Sequence, residues 1–214
     1  MAGFALLMGH APPAEMAEPA ASSRNMAAAW ALADSATNGP LSRQPDVALS
    51  QLREAYALSF DPTLLLEIGR LEREVGNLAR ATYAFEQFLA SDAERVPEPR
   101  RVLALRQLQG AAAGIARMNV QTNVLGASVE LEPERGVASA SGFAISVLLD
   151  AGERRFSLSK PGYETRALVL TVEPGEVRTL RVDLEKAAGG RSETGSNKPR
   201  WTRLEAAVGG DVSL

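Results

Sequence analysis

Hydrophobic positions in the first half of the chain recur at three- and four-residue steps. In the second half they alternate, so the pattern predicts helices followed by strands. Ser23 fits the N-cap of a first helix that contains Met26 and Trp30, runs to about Ala36 and is stopped by Asn38-Gly39-Pro40. Before it, Ala11 to Ala21 is Ala, Pro and Glu without periodicity, which predicts an unstructured leader over 1–22. Asp46 fits the cap of a second helix, in which Leu49, Leu52, Ala55 or Tyr56, and Phe60 make one stripe ending at Asp61-Pro62. From Thr63 to Ser91 two further helices are broken at Gly76-Asn77, with Leu65, Ile68 and Val75 along one and Leu78, Ala81, Phe85 and Phe88 along the other. So short a turn folds them into an antiparallel hairpin. Pro97 and Pro99 follow, and Pro99 suits the first turn of a long helix through about Arg117 with Val102, Leu105, Leu108, Ala112 and Ile115 inward.

After Met118 the period becomes two. Met118, Val120 and Thr122, then Val129 and Leu131, Phe156 and Leu158, Leu168, Leu170 and Val172, and finally Leu180, Val182 and Leu184 predict short antiparallel strands. Glu173-Pro174-Gly175-Glu176 fits a tight hairpin turn, Pro fixing one φ and Gly accepting a positive one. Gly, Ser, Thr and charged residues from Ala187 to Arg200 read as a linker leading to a short tail. The expected architecture is α+β: a disordered leader or remnant signal peptide over 1–22, helical hairpins with a capping helix over 23–117, a small antiparallel β-sandwich-like domain over 118–186, and linker with tail over 187–214.

Residues 62–93 resemble a tetratricopeptide repeat at Leu65, Ile68, Gly69, Gly76, Ala81, Phe85 and Phe88, with Ala93 in place of the usual terminal proline. The resemblance implies that Gly69 and Ala81 are small because two helices cross closely there, that Gly76 makes the turn, and that Phe85 and Phe88 fill the interface between hairpins. Glu72 stands where the family has an aromatic, which implies a more polar groove. A looser second repeat is carried by Ala48, Leu52, Ala55 and Phe60, although the connection from Thr37 to Pro45 is longer than the family's turn. Residues 118–185 resemble the PEGA domain at Gly126-Ala127-Ser128-Val129, Gly152 and Pro161-Gly162-Tyr163. The family's Val-Asp-Gly turn is replaced by Glu132-Pro133-Glu134-Arg135-Gly136 and a Ser- and Ala-rich insertion over 137–142. Helical repeats followed by PEGA is an order similar to envelope-associated bacterial proteins, which implies an exported protein of the periplasm or envelope, with a cytoplasmic location as the alternative.

Composition narrows the chemistry. A net charge of -3 and a pI near 5.4 give a long-range field of the wrong sign for nucleic acid or anionic lipid. Zero cysteines exclude disulfides, thiolate metal sites and cysteine nucleophiles. His10 is the sole histidine and lies in the leader, far from any folded serine, so the sequence offers no candidate hydrolytic triad. Glu130, Glu132 and Glu134 alternate at a spacing that could gather oxygens around calcium, or simply line a solvated strand face, the reading preferred here. Glu72 and Glu74 diverge around their helix and read as surface charges. Gly110 and Gly114 read as close helix packing, since no Gly-Lys-Ser/Thr follows them. Tyr163 reads as a core or corner residue of the β-domain rather than a stacking platform. No motif calls for a cofactor.

The apolar run from Phe4 to Met8, followed by Gly9-His10-Ala11, is an incomplete export signal, because no Lys or Arg precedes it and Pro12 follows. No later stretch approaches the roughly 20 apolar residues of a membrane-spanning helix. Arg95, Arg100, Arg101 and Arg106 form a local basic cluster that could steer an acidic partner, with Arg100, Arg101 and Arg106 as the candidate contacts, or could simply face water as most charge runs on amphipathic helices do, the reading preferred here. These readings point to a non-catalytic protein–protein adaptor, in which the hairpins bind a protein segment and the β-domain attaches to an envelope component. Two alternatives stand beside it: a carbohydrate- or cell-wall-binding β-domain, and the sensor part of a larger signalling protein.

Overall fold

The computed structural model describes residues 18–39, 44–92, 96–132, 135–187, 201–204 and 212–213, which form five helices followed by nine strands. His10, Pro40, Ala93, Arg95, Pro133, Glu134 and the linker over 188–200 lie outside the described residues. The chain divides into two compact units, Met1–Phe60 and Asp61–Leu214. The change from helix to strand falls close to the expected 118, but it lies inside the second unit.

In the first unit, α1 (Glu18–Thr37) packs on α2 (Pro45–Ser59). The buried side of α1 is alanine, at Ala29, Ala33 and Ala36, while Met26 and Trp30 are exposed. The first helix begins ahead of Ser23, which is therefore not its cap. Asp46 is not a cap either: Gln44 is the N-cap residue, Pro45 opens the helix, and Asp46 lies in the first turn, where its charge suits the helix dipole. Leu49, Leu52 and Ala55 form the buried stripe as expected, but Phe60 leaves it. It is the C-cap, in the left-handed conformation at φ 51 and 70% exposed.

The second unit opens at Asp61, whose carboxylate accepts from the Thr63 amide and hydroxyl at 2.8 Å each, capping α3 (Pro62–Glu74). Gly76, at φ 82, turns the chain into α4 (Leu78–Ala90), which packs against α3. A Cβ on Gly69 would lie 2.5 Å from the Phe85 ring, so the two helices cross where only glycine fits. Leu65, Ile68, Ala81, Phe85 and Phe88 are buried. Glu72, expected at the surface, is 1% exposed, and its Oε2 accepts from Asn77 Nδ2 at 2.9 Å. The last helix, α5 (Glu98–Ala112), is shorter than its pattern predicts, because Ile115 to Arg117 already belong to a strand. Its expected inward stripe is also displaced: Ala104 and Ala111 are buried, whereas Val102 and Leu105 face solvent.

Two sheets follow. In one, β3 (Gly136–Ser141), β4 (Ala144–Asp150), β1 (Ile115–Thr122), β7 (Val177–Val182) and β9 (Val212–Ser213) lie in that order. In the other the order is β2 (Ser128–Glu132), β5 (Gly152–Ser159), β6 (Arg166–Val172) and β8 (Trp201–Leu204). Most pairs are antiparallel, but β1 runs parallel to β7, β6 to β8 and β7 to β9. The Pro174-Gly175 turn has the expected positive φ, 75 at Gly175, yet it is not a hairpin. It carries the chain from β6 in one sheet to β7 in the other. The expected insertion over 137–142 is almost all strand β3, and the tail supplies the edge strands β8 and β9.

Met118, Val120, Ile145, Val147, Leu149, Leu180 and Val182 from one sheet share a core with Phe156, Leu158, Leu168, Leu170 and Val172 from the other. Ile115 and Leu148 point to the opposite face of their sheet and form a smaller cluster with Leu78 and Ala79 of α4. Within the second unit α4, the first sheet and the second sheet are thus stacked in three layers, with β4 buried on both faces from Val147 to Asp150.

Candidate docking surfaces

The strands place their connecting turns at two ends. At the helical end Ile115 pairs with Asp150, and the Gly175 amide donates to the Ile115 carbonyl at 2.8 Å. There Asp150, 5% exposed, accepts from the Ala79 amide through Oδ1 at 2.7 Å and so caps α4 across the layers. Its Oδ2 has no partner among the described residues. Burial pushes the Asp150 carboxyl above the ordinary carboxylate value, against the opposing pull of the Ala79 amide and of the nearby Arg154 and Arg135 charges. Arg154 braces the same turn by donating to the carbonyls of Asp150, Ala151 and Glu153. A Glu86–Arg117 ion pair at 2.6 Å adds a second link between α4 and β1.

The other end carries two exposed apolar side chains on neighbouring turns, Leu125 at 59% and Phe143 at 56%. Their backbones are joined: the Gly126 amide donates to the Gly142 carbonyl at 3.3 Å and the Thr122 amide to the Phe143 carbonyl at 2.8 Å. Positive φ at Gly126 and Gly142 lets both turns close tightly. Thr122 Oγ1 donates to the Val124 carbonyl at 2.8 Å, Lys160 Nζ donates to the Leu125 carbonyl, and Asn123 exchanges two hydrogen bonds with Leu184. Both turns are therefore fixed before any partner arrives. Single exposed apolar residues are ordinary on a protein surface, but two held on cross-linked turns form a candidate contact.

The PEGA-like positions divide between these ends. Gly126, Pro161 and Gly162 sit in the turns around Leu125 and Phe143, Ala127 is buried beneath them, and Tyr163 packs against the sandwich core and bridges Lys186. Val129 packs against the core from β2, while Gly152, at φ 110, belongs to the helical end beside Arg154. The sequence reading did not single out Leu125 or Phe143. The glycine next to each marks a turn but not the exposure of its neighbour, since Tyr163, beside the turn glycine Gly162, packs inward.

On α5 the three candidate arginines separate. Arg101 turns back and donates to the Leu89 and Ser91 carbonyls at 3.2 and 3.4 Å, satisfying the C-terminus of α4 rather than a partner. Arg100 and Arg106 are exposed and have no ion pair among the described residues. Gly110 is exposed with only the Arg73 guanidinium near it, whereas Gly114 lies where a Cβ would meet Leu78 at 2.5 Å, so close packing applies to Gly114 alone. Glu130 and Glu132 are exposed on the edge strand β2, and the described residues hold no cluster of metal-ligating side chains. No helix among them is long and apolar enough to cross a membrane.

No protein-family model matches the chain, and no curated protein matches it. Among solved structures it is similar to the N-terminal part of the bacterial S-layer protein SbsC at 12% identity, with 78% of this chain and 56% of that one covered. The chain therefore spans little more than half the length of that structure. The TM-score of 0.20 carries no argument about fold or function.

Proposed function

We propose that this protein is a non-catalytic adaptor of the bacterial envelope, whose β-sandwich docks onto a protein partner through the Leu125 and Phe143 turns. The observation that carries the reading is their pre-organised exposure at the end of the sandwich remote from α4. Binding through side chains on already fixed backbone avoids the ordering cost that mobile loops incur. Asp150 and Ala144 close opposite ends of β4, so the helical attachment and the apolar turns are about 20 Å apart at strand rise. Within the second unit the sandwich can thus hold α4 and its docked partner apart. In this reading α3 and α4 are a tetratricopeptide-like hairpin, supported by the Gly69 crossing against Phe85, and the sandwich is PEGA-like, supported by the turns at Gly126 and Gly162. Placement in the envelope rests on the resemblance alone.

A photo-crosslinking residue in place of Phe143, introduced into the protein in its own cells, tests the proposal. A defined envelope protein should be captured, and the capture should be lost when Leu125→Asp is added while the melting temperature stays unchanged. Capture of cytoplasmic proteins only would overturn the envelope placement. Retention of the whole protein on purified peptidoglycan, abolished by Phe143→Asp, would replace the adaptor by a wall-binding module.

A further inference from the structure

We infer that α5 is a homodimer contact, through which two copies of this chain pair antiparallel about a two-fold axis passing close to Val102. On α5 the residues Glu98, Val102 and Arg106 follow one another at four-residue steps and lie on one row of the helix surface, with Leu105 beside them. Val102 is 45% and Leu105 49% exposed, while the opposite side of the helix is spent on burying Ala104 and Ala111. The row reads acid, apolar, base in one direction and base, apolar, acid in the other. An antiparallel pairing centred on Val102 therefore sets Glu98 of each copy against Arg106 of the other, both lying four residues from the axis. Neither residue has an ion pair among the described residues. Self-complementarity of this kind is what an isologous contact requires.

Packing two four-residue rows side by side is also the commonest way for helices to meet, at a crossing of about 50°. The charges choose among occupants. An acidic segment attracted by Arg100 and Arg106 would also face Glu98, and a parallel copy would set like charges together, whereas the antiparallel copy answers both signs. One helix face buries less than the roughly 1,200 Å² of a standard interface, so the dimer should be weak, with a Kd of about 10 µM or more. Pairing would give each assembly two sets of Leu125 and Phe143 turns, and so avidity for a repetitive partner.

Sedimentation equilibrium of the full chain up to about 1 mM tests the assignment over the range where such a Kd is visible. The protein should show a monomer–dimer equilibrium. Glu98→Arg alone and Arg106→Glu alone should each raise Kd about tenfold or more, yet an equimolar mixture of the two variants should form a heterodimer, because their charges then complement. The absence of cysteine from the natural chain offers a second probe. Val102→Cys should oxidise to a covalent dimer, whereas Leu103→Cys, similarly exposed at 42% but about 100° further round the helix, should stay uncrosslinked. A monomer at every concentration overturns the inference. So does a dimer indifferent to both charge reversals, which would place the contact elsewhere.

Discussion

Asp150 ties α4 to the first sheet of the second unit. Its carboxylate supplies the Ala79 amide with the acceptor that the start of α4 lacks, but its second oxygen is buried without a partner, so the ionised form is penalised. Because its folded-state pKa is raised, the unfolded chain releases this proton first as pH climbs. Stability from this group is therefore full below the ordinary carboxylate value and is lost as pH rises through the folded value. Asp150→Asn keeps an acceptor for Ala79 and removes the charge. It should match or exceed the parent protein at neutral pH and lack this component of the pH dependence. Asp150→Ala leaves a buried amide unpaired and should cost about 1–3 kcal/mol. Urea titrations from mildly acid to neutral pH decide the matter, and equal destabilisation by both variants would refute it. None of this was legible in the sequence, since an aspartate ending an apolar run looks like any strand terminator. Glu72 misled in the same way: its burial depends on Asn77, which the helical period cannot reveal.

Among the elements, legibility followed the strength of the local signal. The α3–α4 hairpin was readable almost to the residue, because its stripe is long, Gly76-Asn77 interrupts it cleanly, and the small residue at Gly69 has a packing cause. Gly69→Ala should accordingly cost about 1–3 kcal/mol by forcing the Phe85 ring or the helix crossing to shift, visible as a lowered melting temperature. An unchanged melting temperature would mean that the crossing is loose. The end of α5 misread because Leu108, Ala112 and Ile115 continue a helical spacing through the turn at Ala113-Gly114, where the chain enters β1. Strand β4 was missed for a different reason. Val147, Leu148 and Leu149 are consecutive and apolar, so the strand covered on both faces shows no alternation. Its partner β3, poor in large side chains, offered only Gly, Val, Ala and Ser, a composition that reads as loop. The apolar turns at Leu125 and Phe143 stayed hidden because a period argument concerns what is buried, and they are exposed.

At the scale of the molecule, the expected boundary at 118 divided the chain where the secondary structure changes, while the packing divides it after Phe60. The difference has an energetic meaning. If α3 to α5 and the sandwich share the Asp150 cap, the Glu86–Arg117 pair and the Ile115–Leu148–Ala79 cluster, they should open together, since each layer covers apolar surface that the other would otherwise expose. Phe88 provides the lever: it is fully buried in α4, and Phe88→Ala should cost about 3–5 kcal/mol. In a single cooperative unit that loss reaches strands the residue does not belong to. The slowest-exchanging amides of the β1–β4 ladder should lose about a hundredfold or more of their protection, the factor corresponding to that free energy. With a true boundary at 118, exchange would accelerate in α3 and α4 alone and the ladder would keep its protection. Native-state hydrogen exchange on the full chain reads both regions in one experiment. The adaptor reading depends on the result, because a sandwich that opened independently of α4 could not hold its docked partner at a fixed distance from the helices.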